Sequence, residues 1–203
     1  MKSLIAHARS FAAHVADSER AESFRALQAG QSPEVLFITC SDSRVVPSLI
    51  TGARPGELFE LRTAGNIVPE YGGGRPMGET ATIEYAVRVL GVRDIVVCGH
   101  SHCGAISALV QGDDLSAAPA VRDWLATQTT GAPFDAGRAG LADLADAVQR
   151  HAVAQLDRLR TYPCVRERIE EGLLSLHAWY YEVHTGAVRA YRPGGGSRTF
   201  GPL

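Results

Sequence analysis

The chain has 203 residues, 45% of them hydrophobic, with 20 Lys and Arg against 22 Asp and Glu. That length suits one large domain with a sizeable core. The formal net charge of −2 gives no bulk electrostatic reason for a nucleic-acid-binding surface, and no apolar run reaches the ~18 residues of a membrane-span candidate.

From the amino terminus, residues 2–29 read as one helical arm. LIAHA, FAAHV and FRAL space their apolar residues by three and four, and Gly30 closes the run. The arm turns charged too soon for a signal peptide, so a cytoplasmic protein is expected. Its apolar stripe has no obvious use except to cover a neighbouring subunit. VLFIT, 35–39, reads as a buried strand and ELFELR, 57–62, as another. VVPSLITGARPG between them suggests a short helix or turn. AGNIVPEYGGGRPMG is loop. ETATIEYAVRVLG, 79–91, is a helix stopped at Gly91. DIVVCG, 94–99, is a third strand, apolar throughout as when both faces are covered.

GAISALV begins a new helix. Residues 112–136 look irregular apart from a short helix around VRDWLATQ. LADLADAVQRHAVAQLDRLRTYP is a long helix ended by Pro163, and VRERIEEG a short one. LLSLHAWYYEV and AVRAYR, joined by HTG, form an antiparallel hairpin. The alternation predicts an α/β fold: a mainly parallel central sheet flanked by helices, with an antiparallel C-terminal edge strand or hairpin. No linker divides residues 1–203, so a single domain is expected.

Four cysteines occur, Cys40, Cys98, Cys103 and Cys164. Without a signal peptide, metal binding or catalysis is a better use for them than disulfides. CSDSR, 40–44, directly follows the strand VLFIT, and GHSHCGA, 99–105, directly follows DIVVC. In an open parallel sheet, ligands bind outside the carboxyl ends of the strands. Cys40, His100 and Cys103 then share one edge and converge if their strands are neighbours. Two thiolates and an imidazole suit a soft to borderline cation such as zinc. Three protein ligands leave the fourth position open, as in catalytic zinc sites. Cys103 also precedes an expected helix N-terminus, whose dipole favours the thiolate. The plainer alternative is two core thiols and a loop histidine; the paired strand-end placements and the D-x-R after Cys40 weigh against it. No CxxC is present, which leaves a thioredoxin-like motif unsupported.

Two thiolates cancel the charge of Zn²⁺, so a bound water ionises less readily than at a three-histidine site. Asp42 is placed to accept a hydrogen bond from that oxygen and turn its lone pair toward a substrate. Arg44 can hold Asp42 ionised and aimed through a bidentate contact. The chemistry is attack of zinc-bound hydroxide on a small electrophile. Spacing alone leaves the electrophile open.

CSDSR and GHSHCG, with GQSPEVLFITCSDSR, RTAGNIVP, ATIEYAV and LSLHAWYYEVHTG, resemble the β-class carbonic anhydrases over most of the chain. The resemblance implies reversible hydration of CO₂ to bicarbonate and a proton. It makes Cys40, His100 and Cys103 the ligands of one zinc per subunit, and Asp42 and Arg44 the catalytic dyad. It also implies a homo-oligomer, a dimer or its multiples, with active sites at the subunit boundary. Gln31, Phe59 and Tyr85 align with the pocket residues of the plant-like branch, the amide for bicarbonate and the aromatics for CO₂. Gly104 would let the backbone approach the substrate.

Some positions depart from parts of that family. Phe37 stands where one branch has a Trp beside a non-catalytic bicarbonate pocket, so no such pocket is expected and Asp42 should stay on Arg44. Thr63 replaces a common Asn. Val89 replaces a His that carries protons in plant-like relatives. His102 is a shuttle candidate, against the simpler reading of a loop histidine. Cys98 reads as core, Cys164 as a lone thiol. His7, His14, His151, His177 and His184 lack ligand-like neighbours in sequence. Competing readings are a CS₂ or COS hydrolase on the same centre, a bicarbonate-sensing scaffold, and a Cys–His thiol enzyme indifferent to zinc.

Overall fold

The amino-terminal segment does not form the single helix expected over 2–29. It forms α1 (Lys2–Ala16) and α2 (Ala21–Ala26), followed by a 3-10 turn, Leu27–Ala29, that Gly30 ends at φ 117°. The Phe11 and Phe24 rings explain the break. Their centroids lie 5.9 Å apart, edge to face, whereas one straight helix would separate these positions by about 20 Å. Neither helix buries a residue in the chain. The computed structural model describes residues 1–17, 20–72, 77–128, 141–194 and 199–203.

β1 (Val35–Cys40) is buried along nearly all its length, as its unbroken apolar run requires of a central strand. α3 (Pro47–Thr51) starts on Pro47, whose ring suits a first helical position, and stops at Gly52, φ 72°. β2 (Leu58–Thr63) follows. α4 (Gly78–Glu84) runs on into a π-helical stretch, Tyr85–Leu90, ended by Gly91, so the expected helix 79–91 has a wider-wound tail. β3 (Asp94–His100) leads into α5 (Gly104–Gln111) and α6 (Pro119–Gln128). The remainder of the irregular segment expected up to 136 lies outside the described residues. α7 (Leu141–Thr161) and α8 (Pro163–Glu170) match the long and short helices expected there. β4 (Ser175–Tyr181), β5 (Val188–Arg192) and β6 (Thr199–Pro202) complete the chain.

The six strands among the described residues form one sheet in the order β2-β1-β3-β4-β5-β6. The first four are parallel and the last two antiparallel. The hairpin is therefore not the edge. β6 lies outside it, and TFGP carries too little β-propensity to read as a strand. Its Pro202 is tolerable because an edge strand can lack a donor.

From β1 the chain passes to β2 on one side and β3 lies on the other. The crevice at such a point opens at the carboxyl ends. β1 and β3 run in register from Val35↔Asp94 to Thr39↔Cys98, so Cys40 and His100 end adjacent strands. α7 covers this half of the sheet, burying Val148, Ala152, Val153, Leu156 and Leu159. On another part of the sheet Phe37, Val96 and Cys98 pack with Trp179 and Tyr181. Among the described residues no helix is long and apolar enough to cross a membrane.

α7 presses closest at Gly99, where an added Cβ would stand 2.7 Å from Val148 Cγ1. Val148 is β-branched and cannot swing aside cheaply. Gly99→Ala should therefore destabilise the protein by about 1–3 kcal/mol. Denaturant unfolding of the single and double variants checks this, because Val148→Ala should recover part of the loss when added to Gly99→Ala.

Candidate metal centre

β1 delivers Cys40, β3 delivers His100, and the turn entering α5 delivers Cys103. Their ligand atoms all lie within 4.8 Å of one another, and all three residues are buried. The two sulfurs are 4.0 Å apart. Each has its own backbone donors. Gly65 N–H points at Cys40 Sγ from 3.4 Å, and the Asp42 amide also faces it. The first turn of α5 offers Cys103 the amides of Ala105 and Ile106, where the helix dipole assists.

The two sulfurs are driven to opposite acidities. Cys40 is lowered to about 4, first by the hydrogen bond from Cys103, with further help from the Gly65 and Asp42 amides. Cys103 is pushed up by the same bond, by burial and by the neighbouring thiolate. A dication between them would let both ionise. His100 points to the same need. Its Nδ1 donates to Ser101 O at 3.0 Å, which leaves Nε2 as a lone pair. That Nε2 is buried and has no hydrogen-bond partner among the described residues, a costly arrangement unless a cation accepts the lone pair. Two sulfurs and one imidazole suit zinc.

Asp42 flanks the cluster. Its Oδ2 lies 4.0 Å from His100 Nε2. Arg44 grips it in the bidentate manner expected, Nε to Oδ1 at 2.9 Å and Nη2 to Oδ2 at 2.7 Å, and the Arg44 amide adds a third bond at 2.9 Å. The side-chain bonds from Arg44 hold this carboxyl well below the usual carboxylate range. Arg44 Nη2 also donates to His102 O at 3.0 Å, tying the two ligand-bearing loops together. The ring of His102 is exposed and faces His184, centroids 6.0 Å apart.

A family model described as carbonic anhydrase matches residues 35–188. A carbonic anhydrase of Pseudomonas aeruginosa is 48% identical over 184 residues, covering 89% of this chain and 82% of the relative. The chain belongs to the β-carbonic anhydrase family. The solved β-carbonic anhydrase CcaA superposes with a TM-score of 0.88 at 39% identity, covering 100% of this chain and 92% of the other. A structure from work on two tetrameric β-carbonic anhydrases of the ascomycete Sordaria macrospora gives 0.81 at 29% identity, covering 97% and 98%. Carbonic anhydrases are enzymes, and the β family is zinc-dependent in general.

Of the pocket residues that the resemblance implies, Gly104 adjoins the ligand Cys103, whereas Gln31, Phe59 and Tyr85 are not gathered at the centre within one chain. Phe59 pairs with Leu36, four residues back along the strands from the Thr63–Cys40 pair, or about 13 Å. Its ring meets that of Tyr85 at 5.9 Å. Gln31 is exposed beside the groove between α2 and α3. Gly104 opens α5, and a Cβ there would meet nothing within 4 Å. Thr63 has a definite job: its hydroxyl donates to Ile67 O at 3.0 Å, closing the turn that carries Gly65. Phe37 is buried edge-on to Trp179, and Val89 is exposed. Burial alone raises Cys98 to about 12, as for a core thiol.

Sequence inspection overlooked Arg62. Its guanidinium donates to the carbonyls of Cys40, Asp42 and Val45 at 2.8–3.2 Å, clamping the loop that carries ligand and dyad. An arginine within ELFELR, one residue short of the strand's carboxyl end, was the available signal. His151 was set aside for want of neighbours, yet it lies buried with Nε2 donating to Gly65 O at 2.9 Å.

Zn²⁺ loading of metal-free protein at pH 6 should displace about one proton from the sulfur pair. Calorimetry in buffers of different ionisation enthalpy counts it. Two protons would mean two thiols, and none would mean two thiolates.

Proposed function

We propose that this chain is a zinc carbonic anhydrase that reversibly hydrates CO₂ to bicarbonate and a proton, the whole of 1–203 forming one catalytic domain. Cys40, His100 and Cys103 would hold one zinc per subunit, with Asp42 and Arg44 as the dyad beside it. The observation that carries this is the buried Nε2 of His100, without a hydrogen-bond partner among the described residues, beside two sulfurs and with the Asp42 carboxylate 4.0 Å away. Zinc held there supplies a Lewis acid that makes water nucleophilic near neutral pH.

The chain's own residues do the rest. Asp42, ionised at any ordinary pH, accepts a hydrogen bond from the attacking water at Oδ2 and so turns the water's lone pair toward CO₂. Arg44 keeps that carboxylate from swinging, and its bond to His102 O fixes the dyad to the loop bearing Cys103. Arg62 clamps the backbone of the loop that carries Asp42 through the carbonyls of Asp42 and Val45.

Gln31, Phe59 and Tyr85 complete the pocket from a second copy. Their distance from the centre within one chain supports this, as does the exposure of Leu4, Ile5 and Phe11 on α1, which would lie against the partner. The tetrameric relatives favour a homo-oligomer built on such pairs. Gly104 leaves open space beside the centre for substrate.

Stopped-flow CO₂ hydration on preparations of measured zinc content tests the reaction. Activity should track zinc, and Asp42→Ala should retain zinc while losing about 10–100-fold in kcat/KM. Activity that survives zinc removal but not alkylation of Cys40 would indicate a thiol enzyme instead. The shared pocket has its own test. Tyr85→Ala and Cys40→Ser chains, each impaired alone, should regain activity when refolded together, because one site of the mixed dimer is then intact.

A further inference from the structure

The face of α7 that covers the sheet carries Val148, Ala152, Leu156 and Leu159, all buried and apolar. Among them sit His151 and Gln155, each only 1% exposed. A buried imidazole and a buried amide cost stability unless their hydrogen bonds are satisfied. Here the bonds are made to one turn. His151 Nε2 donates to Gly65 O at 2.9 Å, and Gln155 Oε1 accepts from Val68 N at 2.9 Å. Gln155 Nε2 lies 3.4 Å from His151 Nδ1, which fixes the proton of the imidazole on Nε2. Burial lowers His151 to about 4, so the ring is a neutral donor at physiological pH.

The turn is unusual in its backbone. Gly65 has φ 77° and Asn66 φ 49°, two successive left-handed residues. Its conformation points the Gly65 amide at Cys40 Sγ. The other end of that same peptide unit, Ala64 O, accepts from Trp124 Nε1 at 3.0 Å. One peptide group thus joins an indole on α6 to the sulfur on β1, and a donor from α7 holds the next carbonyl.

We propose that Trp124 and His151 are positioning residues that brace the Gly65 peptide so that its N–H stays on the Cys40 sulfur, tuning how tightly and how strongly that sulfur binds the metal. The proposal rests on the zinc reading above. An N–H···S bond withdraws charge from a thiolate, so the sulfur donates less to a bound cation and the cation stays a stronger Lewis acid. The indole bond at Ala64 O polarises the same amide and strengthens its N–H as a donor. Neither side chain belongs to the ligand set, and both bond to the carbonyls on either side of the Gly65 amide.

Co²⁺-substituted and zinc-loaded proteins test this without measuring turnover. In His151→Leu and Trp124→Phe the sulfur-to-Co²⁺ charge-transfer band should move to lower energy. Zinc affinity by chelator competition should fall about tenfold, because without the N–H of Gly65 the Cys40 sulfur is less firmly placed and holds its proton more tightly against the metal, which outweighs its stronger donation. His151→Gln, which restores a donor, should recover much of both. Leu156→Ala, a core change on the same helix with no bond to the turn, should lower Tm and leave band and affinity unchanged. If the wild-type protein binds Co²⁺ and the two donor-deleting variants match it in band and affinity, whatever their Tm, the brace is wrong and the zinc reading stands. A wild-type protein that binds neither Co²⁺ nor Zn²⁺ overturns the zinc reading and the brace with it.

Discussion

β1 and β3 lie side by side and parallel, with no strand between them. Their register brings Thr39 against Cys98, and so sets Cys40 beside the residues that lead to His100. A parallel strand pair is about 4.8 Å wide, which is the scale of the separation among the three ligand atoms. Inserting a strand would double that distance. Both strands owe their central position to apolar runs buried on two faces, so the core that stabilises the sheet also determines the spacing of the centre.

Around that spacing, electrostatics and hydrogen bonds divide the work. Bringing two sulfurs together in a buried place allows only one to ionise until a cation arrives. The chain therefore favours a dication by the cost of leaving the second proton and the His100 lone pair unused. Asp42 stands next to this charge without being drawn from Arg44, because two side-chain bonds and one amide bond hold it. Arg62, Thr63, Trp124 and His151 bond to backbone atoms of the loops that carry the reacting groups. Such a polar scaffold fixes loops that propensity alone would leave variable.

Within one chain, the residues proposed for the pocket lie apart. The metal centre lies at the carboxyl edge of the sheet, while Phe59 and Tyr85 pack together farther back and Gln31 lies beside an open groove. The apolar residues of α1 find no core of their own. Association of two copies would address both facts, since burying that stripe also carries aromatic residues toward a neighbour's centre.

Much was legible in the amino-acid order because its physical causes are local. Continuous apolar runs of strand length marked β1 and β3. Gly30, Gly91 and Pro163 marked helix ends through backbone geometry, and CSDSR and GHSHCG placed soft ligands at the ends of those strands. The breaks went unread where a long-range contact decides them. The Phe11–Phe24 packing folds the amino-terminal arm in two, and β6 is a strand only because β5 offers it an unpaired edge. His151 and Arg62 looked ordinary for the same reason: their partners are 86 and about 20 residues away in the chain. Sequence by itself determined which atoms could hold a metal and activate water. Only the tertiary structure decided which distant amides, carbonyls and rings would hold those atoms still, because a hydrogen bond is specified by where two groups meet and not by either group alone.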